Sequence, residues 1–212
     1  MHLSAILYII KSDFTLSGRC FMELLKQMIK ERGIVKSGGV LRVDSFLNHR
    51  IDIDLYREIG KEFYRLFGSD NVTKIITVEA SGIGIACMTA QYFNVPVVFA
   101  KKSKTSNVAE NNYVGHIYSF THQCHNDIII NRNYVNANDR VLLIDDFLAM
   151  GSAFDGLIDI VEQAGAYLVG AGSVIEKGFQ GGGDRLRSQG IRVESLAIIE
   201  KMEEGEEIIF RN

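Results

Sequence analysis

The chain has little of the chemistry that marks several classes of protein. It contains one proline, Pro96, which excludes a proline-rich linker and a collagen-like region. Its three cysteines, Cys20, Cys87 and Cys124, are odd in number and widely spaced, so they cannot form a disulfide framework. We therefore expect a reducing, cytoplasmic location.

The sequence also lacks an excess of positive charge and a long apolar run. Its 23 basic and 26 acidic residues leave a net charge of −3, which offers no general attraction to a polyanion, so no nucleic-acid partner is expected. The apolar stretch from Leu3 to Ile10 contains Ser4 and is too short to span a bilayer. Its flanks do not fit a signal peptide. The sequence thus predicts no membrane association.

What the 212 residues do contain is typical of one globular domain, with 47% apolar and 23% charged residues. Helical periodicity begins at Met22, and Gly33 is a natural end for that helix. We expect residues 22–212 to form a single functional domain. Residues 1–21 are interpreted as an N-terminal extension outside it, arising from an over-early start codon.

Apolar strands alternate with amphipathic helices along this domain. Strand-like runs occupy residues 40–43, 74–79, 96–100, 114–120, 127–131, 140–146, 167–175 and 192–199. Asp54 is expected to cap a helix that ends at Gly68, and a turn at residues 203–206 predicts a closing hairpin. This alternation is typical of an α/β fold with a mainly parallel sheet flanked by helices.

The segment from Asp145 to Ala153 carries the strongest signal for a binding site. Two acids at the end of a buried strand are costly to bury unless they bind a polar group, such as hydroxyls or a hydrated cation. The small residues around Gly151 allow backbone N–H groups at a helix start to close around an anion. Together these features predict a sugar-phosphate site. The alternative is that the acids merely begin a capped loop.

Three other predicted strands end in polar or glycine-rich residues, at positions 79–82, 101–104 and 176–179. In an open parallel sheet, ligands bind beyond the carboxyl ends of the strands. We therefore expect these segments and the Asp145 segment to converge on one edge. At such an edge the lysines of residues 101–104 favour an anion site over a solvated run of charge.

These motifs resemble those of the type I purine phosphoribosyltransferase family. The run from Val141 to Ala153 is similar to that family's motif for phosphoribosyl pyrophosphate (PRPP). The resemblance continues in order through residues 41–49, 97–102, 118–121 and 175–177, and covers the chain from Met22 onward. The family's loop reads Ala-Asn-Gly-Gln-Ala, so Met150 and Ser152 depart from it.

The resemblance implies a type I phosphoribosyltransferase fold with a small hood subdomain. The implied reaction transfers the 5-phosphoribosyl group of PRPP to xanthine, giving xanthosine 5′-monophosphate and pyrophosphate in purine salvage. The implied catalytic residues are Asp145 and Asp146. The implied PRPP-binding residues are Ala149, Met150, Gly151, Ser152, Ala153, Ser81, Lys101 and Lys102. Those implied for xanthine are Leu41, Asn48 and Lys177.

The resemblance further implies a homodimer and Mg²⁺ carried by PRPP, without a dedicated metal site of protein ligands. A different class of function stays open, because the same fold serves regulators that sense PRPP without catalysis. A DNA-binding regulator would need an appended module. The residues before Leu41 show no helix-turn-helix pattern and no dense basic patch.

Three further motifs have simpler interpretations. Gly82 to Cys87 is not expected to bind a dinucleotide, since Cys87 stands where a third glycine belongs and is expected to be a small core residue. The cluster from His122 to His125 lacks a second set of ligands, so an exposed loop is expected rather than a zinc site. Gly181–Gly183 is expected to be a mobile loop.

Overall fold

Ten strands and five longer helices make up the described part of the chain, residues 18–103, 111–119 and 124–211 of a computed structural model. The strands are β1 (Ile34–Lys36), β2 (Val40–Arg42), β3 (Lys74–Val78), β4 (Val97–Ser103), β5 (Asn112–Ser119), β6 (Cys124–Asn131), β7 (Arg140–Leu148), β8 (Tyr167–Lys177), β9 (Val193–Lys201) and β10 (Ile209–Phe210). The helices are α1 (Gly18–Arg32), α2 (Ile53–Phe67), α3 (Ser81–Phe93), α4 (Ser152–Gln163) and α5 (Gly182–Ser188). Shorter helical turns lie at Asp44–Asn48, Arg132–Tyr134 and Gly178–Gln180.

Eight of these strands form one sheet in the order β10-β9-β8-β7-β3-β4-β6-β5. The five strands from β9 to β4 run parallel, while β6 pairs antiparallel with β4 and β10 antiparallel with β9. The prediction of an α/β fold with a mainly parallel sheet is confirmed, as is the closing hairpin. Strands β1 and β2 pair separately as an antiparallel hairpin, with Val35 opposite Leu41.

Both faces of the sheet are covered, and side chains along β7 alternate between the two cores. Leu142 and Ile144 pack into the core shared with α1, α2 and α3. Val141 and Leu143 pack into the core shared with α4. Burial on both faces explains why the central strands are continuously apolar rather than alternating. No helix in the described ranges is both long and apolar enough to cross a membrane.

Helix α2 has the predicted apolar face but begins at a different cap. Asp52, rather than Asp54, caps the helix, because its side chain accepts a hydrogen bond from the Leu55 N–H at 3.2 Å. Asp54 lies in the first turn and pairs with Arg57 at 2.6 Å. The expected end at Gly68 is confirmed.

Two expectations about single motifs are wrong. Gly182 and Gly183 are buried at the start of α5 and do not belong to a mobile loop. Cys87 is exposed, because α3 turns Ile85, Ala86 and Ala90 toward the core and leaves Cys87 on the opposite face. The cluster around His122 falls partly outside the described residues, which resume at Cys124 in β6.

The first helix starts earlier than its periodicity predicts. Helix α1 already includes Gly18, ahead of the expected start at Met22, and the Phe21 side chain is only 2% exposed, packed in the core with Leu25 and Ile29. The Phe21 ring therefore packs against the core although it precedes Met22, where the domain was expected to begin. That residues 1–21 lie outside the functional domain stays a prediction.

The buried ring generates a stability prediction. We expect Phe21→Ala to lower the free energy of unfolding by about 3 kcal/mol, since truncating a buried Phe removes apolar burial and leaves a cavity. Urea denaturation followed by circular dichroism measures the change. Gln27→Ala, at an exposed position of the same helix, is the control and should change stability by less than about 0.5 kcal/mol. An equal, small effect of both substitutions would contradict the packing of Phe21.

Candidate functional site

Two adjacent carboxylates lie buried at the carboxyl end of β7. Asp145 is 6% exposed and Asp146 is 8% exposed. The Asp146 backbone N–H donates to Asp145 Oδ1 at 2.9 Å, and Asn48 Nδ2 donates to Asp146 Oδ2 at 3.1 Å. The strand thus delivers both acids into one place, and the turn at Asp44–Asn48 adds an amide donor from 98 residues away.

Burial raises the pKa of Asp145 well above its ordinary value, and the nearby charge of Asp146 raises it further. The Asp146 N–H and the positive charge of Lys102 act in the opposite direction on this pKa. Such a carboxyl is costly to keep ionised unless a polar or cationic ligand comes to it. The pair therefore has the electrostatics of a binding site.

The start of α3 closes over the acids. A Cβ at Gly82 would lie 2.8 Å from Asp145 Oδ1 and 2.1 Å from Thr77 Oγ1, so only glycine allows this approach. Thr77 Oγ1 is buried and has no hydrogen-bond partner within the described residues. Ser81, the first residue of α3, is half-buried beside this contact. One residue further toward the N-terminus, the Glu79–Ala80 peptide bond is cis.

The two predicted lysines lie near the carboxyl end of β4, which β3 separates from β7. Lys101 and Lys102 are both exposed, and the Lys102 backbone N–H donates to Glu79 Oε1 at 2.7 Å. Because Lys102 lowers the pKa of Asp145, its charge reaches the acidic pair. The expectation that the ends of β3, β4 and β7 meet at one edge agrees with their parallel registers.

Beyond the acids, β7 leads into a cleft of about 660 Å³ lined by the whole loop of residues 149–153. Gly151 sits at the N-cap of α4 with φ of +90°, a conformation that favours glycine. The backbone N–H groups of this loop and of the first turn of α4 are available to an anion, which the helix dipole also favours. We call this segment the 149–153 loop.

Lys177, at the end of β8, lies in the same cleft. Its Nζ donates to the Gly39 carbonyl at 2.8 Å and lies 5.5 Å from the centre of the Phe147 ring. Burial lowers the pKa of its ammonium group. An ammonium group has three N–H donors, so two remain for a ligand.

The structure brings most of the predicted residues into two adjoining groups. The 149–153 loop and Lys177 line the cleft, while Asp145, Asp146 and Asn48 contact one another beneath the start of α3. Leu41 differs, because its side chain is only 6% exposed and packs in the core. Gly39 and Val40 line the cleft in its place.

Sequence reasoning missed Tyr56, which supports the segment that carries Asn48. The Tyr56 hydroxyl donates to the Leu47 carbonyl at 2.5 Å. Burial and the charge of Asp146 raise the pKa of Tyr56 to about 12. The only signal in the sequence is a tyrosine within the apolar face of a helix, which does not distinguish such a role from core packing.

Comparison with known proteins identifies the family. A family model described as phosphoribosyl transferase domain matches residues 42–207. The chain belongs to the phosphoribosyltransferase family. This phosphoribosyltransferase is 56% identical over 191 residues to a protein of Lachnoclostridium phytofermentans and to one of Clostridium novyi, both named xanthine phosphoribosyltransferase. The match covers 90% of this chain and 98% and 100% of those proteins.

Solved structures support the same fold. A crystal structure of adenine phosphoribosyltransferase from Rhodothermus marinus aligns with a TM-score of 0.69 and 22% identity, covering 85% of this chain and 99% of that one. At this identity the likeness is one of fold. The phosphoribosyltransferase fold expected from the motifs is thus confirmed.

The raised pKa of Asp145 predicts a pH-dependent gain in stability for Asp145→Asn. Since the folded protein holds this proton more tightly than the unfolded chain, the ionised carboxyl opposes folding at pH values above its unfolded pKa. Asparagine removes the charge and keeps an oxygen that accepts from the Asp146 N–H. We expect a melting temperature higher than wild type by on the order of 3 °C at pH 8.

The gain should shrink as the pH falls toward 4, near the ordinary pKa of an aspartate, because the unfolded chain then also binds this proton for much of the time. Differential scanning calorimetry at pH 4, 6 and 8 measures it. Asp159→Asn, on the half-exposed surface of α4, is the matched control and should show no such trend. A variant that is destabilised equally at every pH would contradict the assigned electrostatics.

Proposed function

We propose that the protein transfers the 5-phosphoribosyl group of PRPP to xanthine, forming xanthosine 5′-monophosphate and pyrophosphate. One observation carries the proposal: a buried acidic pair leads directly into a glycine-capped helix start, across a cleft from a half-buried lysine. The family match and the names of the relatives support the same reaction. Neither offers support for a regulator without catalysis.

Asp145 and Asp146 hold the ribose hydroxyls. Carboxylates are strong acceptors for hydroxyl donors, and bringing polar groups to this buried pair offsets its cost of desolvation. The backbone of the 149–153 loop, from Ala149 to Ala153, binds the 5′-phosphate with the dipole of α4 behind it. This arrangement fixes both ends of the ribose.

Ser81, Lys101 and Lys102 serve the pyrophosphate. The two lysines are exposed near the carboxyl end of β4, where they can neutralise phosphate oxygens. Among the described residues no group of three or more His, Cys, Asp or Glu could hold a metal ion. The two carboxylates fit Mg²⁺ that arrives with PRPP, since this ion keeps waters and takes few protein ligands. Held by Asp145 or Asp146, this ion would supply charge neutralisation to the pyrophosphate.

The reaction breaks the bond between the ribose C1 and a pyrophosphate oxygen and forms a bond from C1 to a purine nitrogen. That nitrogen gives up its proton to the departing pyrophosphate or to water. Positive charge develops on the ribose and negative charge on the leaving group. Asp145 and Asp146 lie on the ribose side and the lysines on the pyrophosphate side. Catalysis is therefore mainly positioning and charge stabilisation.

Lys177 and Asn48 select the base. The free donors of Lys177 suit a 6-oxo group and reject adenine, whose 6-amino group presents donors. One Asn48 N–H is already donated to Asp146, which leaves its second N–H and its carbonyl for the 2-position. Leu41 has its side chain in the core, so its contribution to the pocket is through the backbone.

Family membership also supports a proposal about cellular location, oligomeric state and domain bounds. We propose a cytoplasmic homodimer in purine salvage, with residues 22–212 as the catalytic domain and the earlier residues dispensable for turnover. A chain beginning at Met22 should keep the kcat of the full chain. The melting temperature of this shortened chain measures separately how much stability is lost when Phe21 is removed.

Pyrophosphate release from PRPP and Mg²⁺, measured with each of four purines, tests the reaction. We expect rates in the order xanthine, then guanine and hypoxanthine, with adenine inactive. Release with no base would indicate hydrolysis rather than transfer, so the nucleotide product is quantified in parallel. Tight binding of PRPP without turnover of any purine would favour the regulator.

Lys177→Ala should abolish the preference for 6-oxopurines. The expected fall in kcat/KM for xanthine is on the order of 100-fold, because a donor to the base is removed from a half-buried position. Binding of PRPP should stay nearly unchanged. Lys201→Ala, an exposed lysine on the adjacent strand β9, is the matched control. If Lys177→Ala still discriminates between xanthine and adenine as wild type does, the assignment of Lys177 to the base site is wrong.

A further inference from the structure

Helix α5 packs its glycine-rich start directly against the 149–153 loop. A Cβ at Gly182 would lie 2.2 Å from the Ala149 carbonyl oxygen and 2.5 Å from the Met150 carbonyl carbon. Both are backbone atoms, so a side chain at residue 182 would displace the loop. The buried glycine therefore brings two backbones into contact.

Arg185, three residues further along α5, contacts the loop from the same side. Its Nη2 donates to the Met150 carbonyl at 3.2 Å and pairs with Asp155 Oδ2, in the first turn of α4, at 2.7 Å. The same nitrogen would lie 2.8 Å from a Cβ at Gly151. One guanidinium thus joins the loop to the helix that follows it.

The helix that carries Arg185 is itself anchored to the sheet. Arg187 makes two hydrogen bonds, of 2.7 and 3.0 Å, to the fully buried Glu176 at the end of β8. On the outer side, Arg211 from the chain after β10 pairs with Asp184 at 2.8 Å. These contacts give Arg185 a fixed base from which to hold the loop.

The contact matters because a peptide unit is planar and trans, so its C=O and N–H point in opposite directions. With the Met150 carbonyl turned toward Arg185, the Gly151 N–H points away from Arg185. Glycine at φ of +90° tolerates many backbone conformations, so the Met150–Gly151 peptide is the part of the loop most able to rotate. Rotation would present a carbonyl oxygen, rather than an N–H, to an anion in the cleft.

We propose that Arg185 is a positioning residue that orients the Met150–Gly151 peptide for phosphate, with Gly182 allowing the close approach of α5. The inference rests on the proposed role of the 149–153 loop. Arg185 also neutralises Asp155, whose unpaired carboxylate would repel a phosphate bound at the start of α4. The residue acts through the loop and does not line the cleft itself.

Isothermal titration with ribose 5-phosphate tests the proposal without turnover. We expect Arg185→Ala to weaken binding about tenfold or more, since a charged hydrogen bond to the loop is lost. In steady-state assays the KM for PRPP should rise by a similar factor, while the KM for xanthine stays within about twofold. Arg185→Lys keeps the charge beside Asp155 but lacks the several N–H donors of a guanidinium. Its affinity for ribose 5-phosphate should lie between those of wild type and Arg185→Ala.

Arg211→Ala is the matched control, because the partner of Arg211, Asp184, lies on the same helix as Arg185. It removes the ion pair with Asp184 and lowers stability, but it leaves the loop contact in place, so affinity for ribose 5-phosphate should equal wild type. Affinity lost equally in both variants would reduce Arg185 to a structural role. Wild-type affinity in Arg185→Ala would overturn the proposal.

Gly182→Ala tests the position of the loop without changing Arg185, because the added Cβ would displace the loop. This variant should also bind ribose 5-phosphate more weakly than wild type. Gly181→Asn is its control, since a Cβ at that position would have nothing within 4 Å and Asn tolerates its φ of +76°.

If wild type binds ribose 5-phosphate but turns over no xanthine, the proposed reaction fails and the role of Arg185 stands. If wild type does not bind ribose 5-phosphate, the role of the loop fails and takes this inference with it.

Discussion

The burial of two adjacent carboxylates at the end of β7 is the constraint on which the rest of the site depends. Asp145 and Asp146 repel each other in a place where water is scarce, and their partners are a backbone N–H and the Asn48 amide. The positive charge of Lys102 acts in their favour. Such an arrangement opposes folding but is suited to binding, since a substrate can supply the hydrogen-bond donors or positive charge that the protein does not provide to these carboxylates.

The elements around the acids are arranged by close backbone approaches. Gly82 lets α3 close over Asp145, and Gly182 lets α5 touch the 149–153 loop. Lys177 donates to the Gly39 carbonyl and so ties the β1–β2 hairpin to the end of β8. The cleft is therefore bounded by the β1–β2 hairpin, the 149–153 loop and the end of β8. The sheet aligns the ends of the parallel strands β7 and β8, which carry the last two of these segments.

Much of the fold was predictable because its signals are local. Strands β3, β7 and β8 are buried on both faces, which produces continuous apolar runs that sequence alone reveals. The misses share a cause. Burial of Phe21, exposure of Cys87 and order at Gly182 depend on what packs against each residue, and no local pattern carries that information.

The sequence by itself determined the α/β class, the acidic pair and the glycine-capped helix start, because strand burial and helix capping depend on neighbouring residues. Its family motifs also named the 149–153 loop and Lys177, which line the cleft. Only the tertiary structure decided that Leu41 turns into the core, that Asn48 donates to Asp146, and that Arg185 holds the Met150 carbonyl. These contacts join segments up to 98 residues apart, and their geometry is set by packing of the whole sheet and its helices.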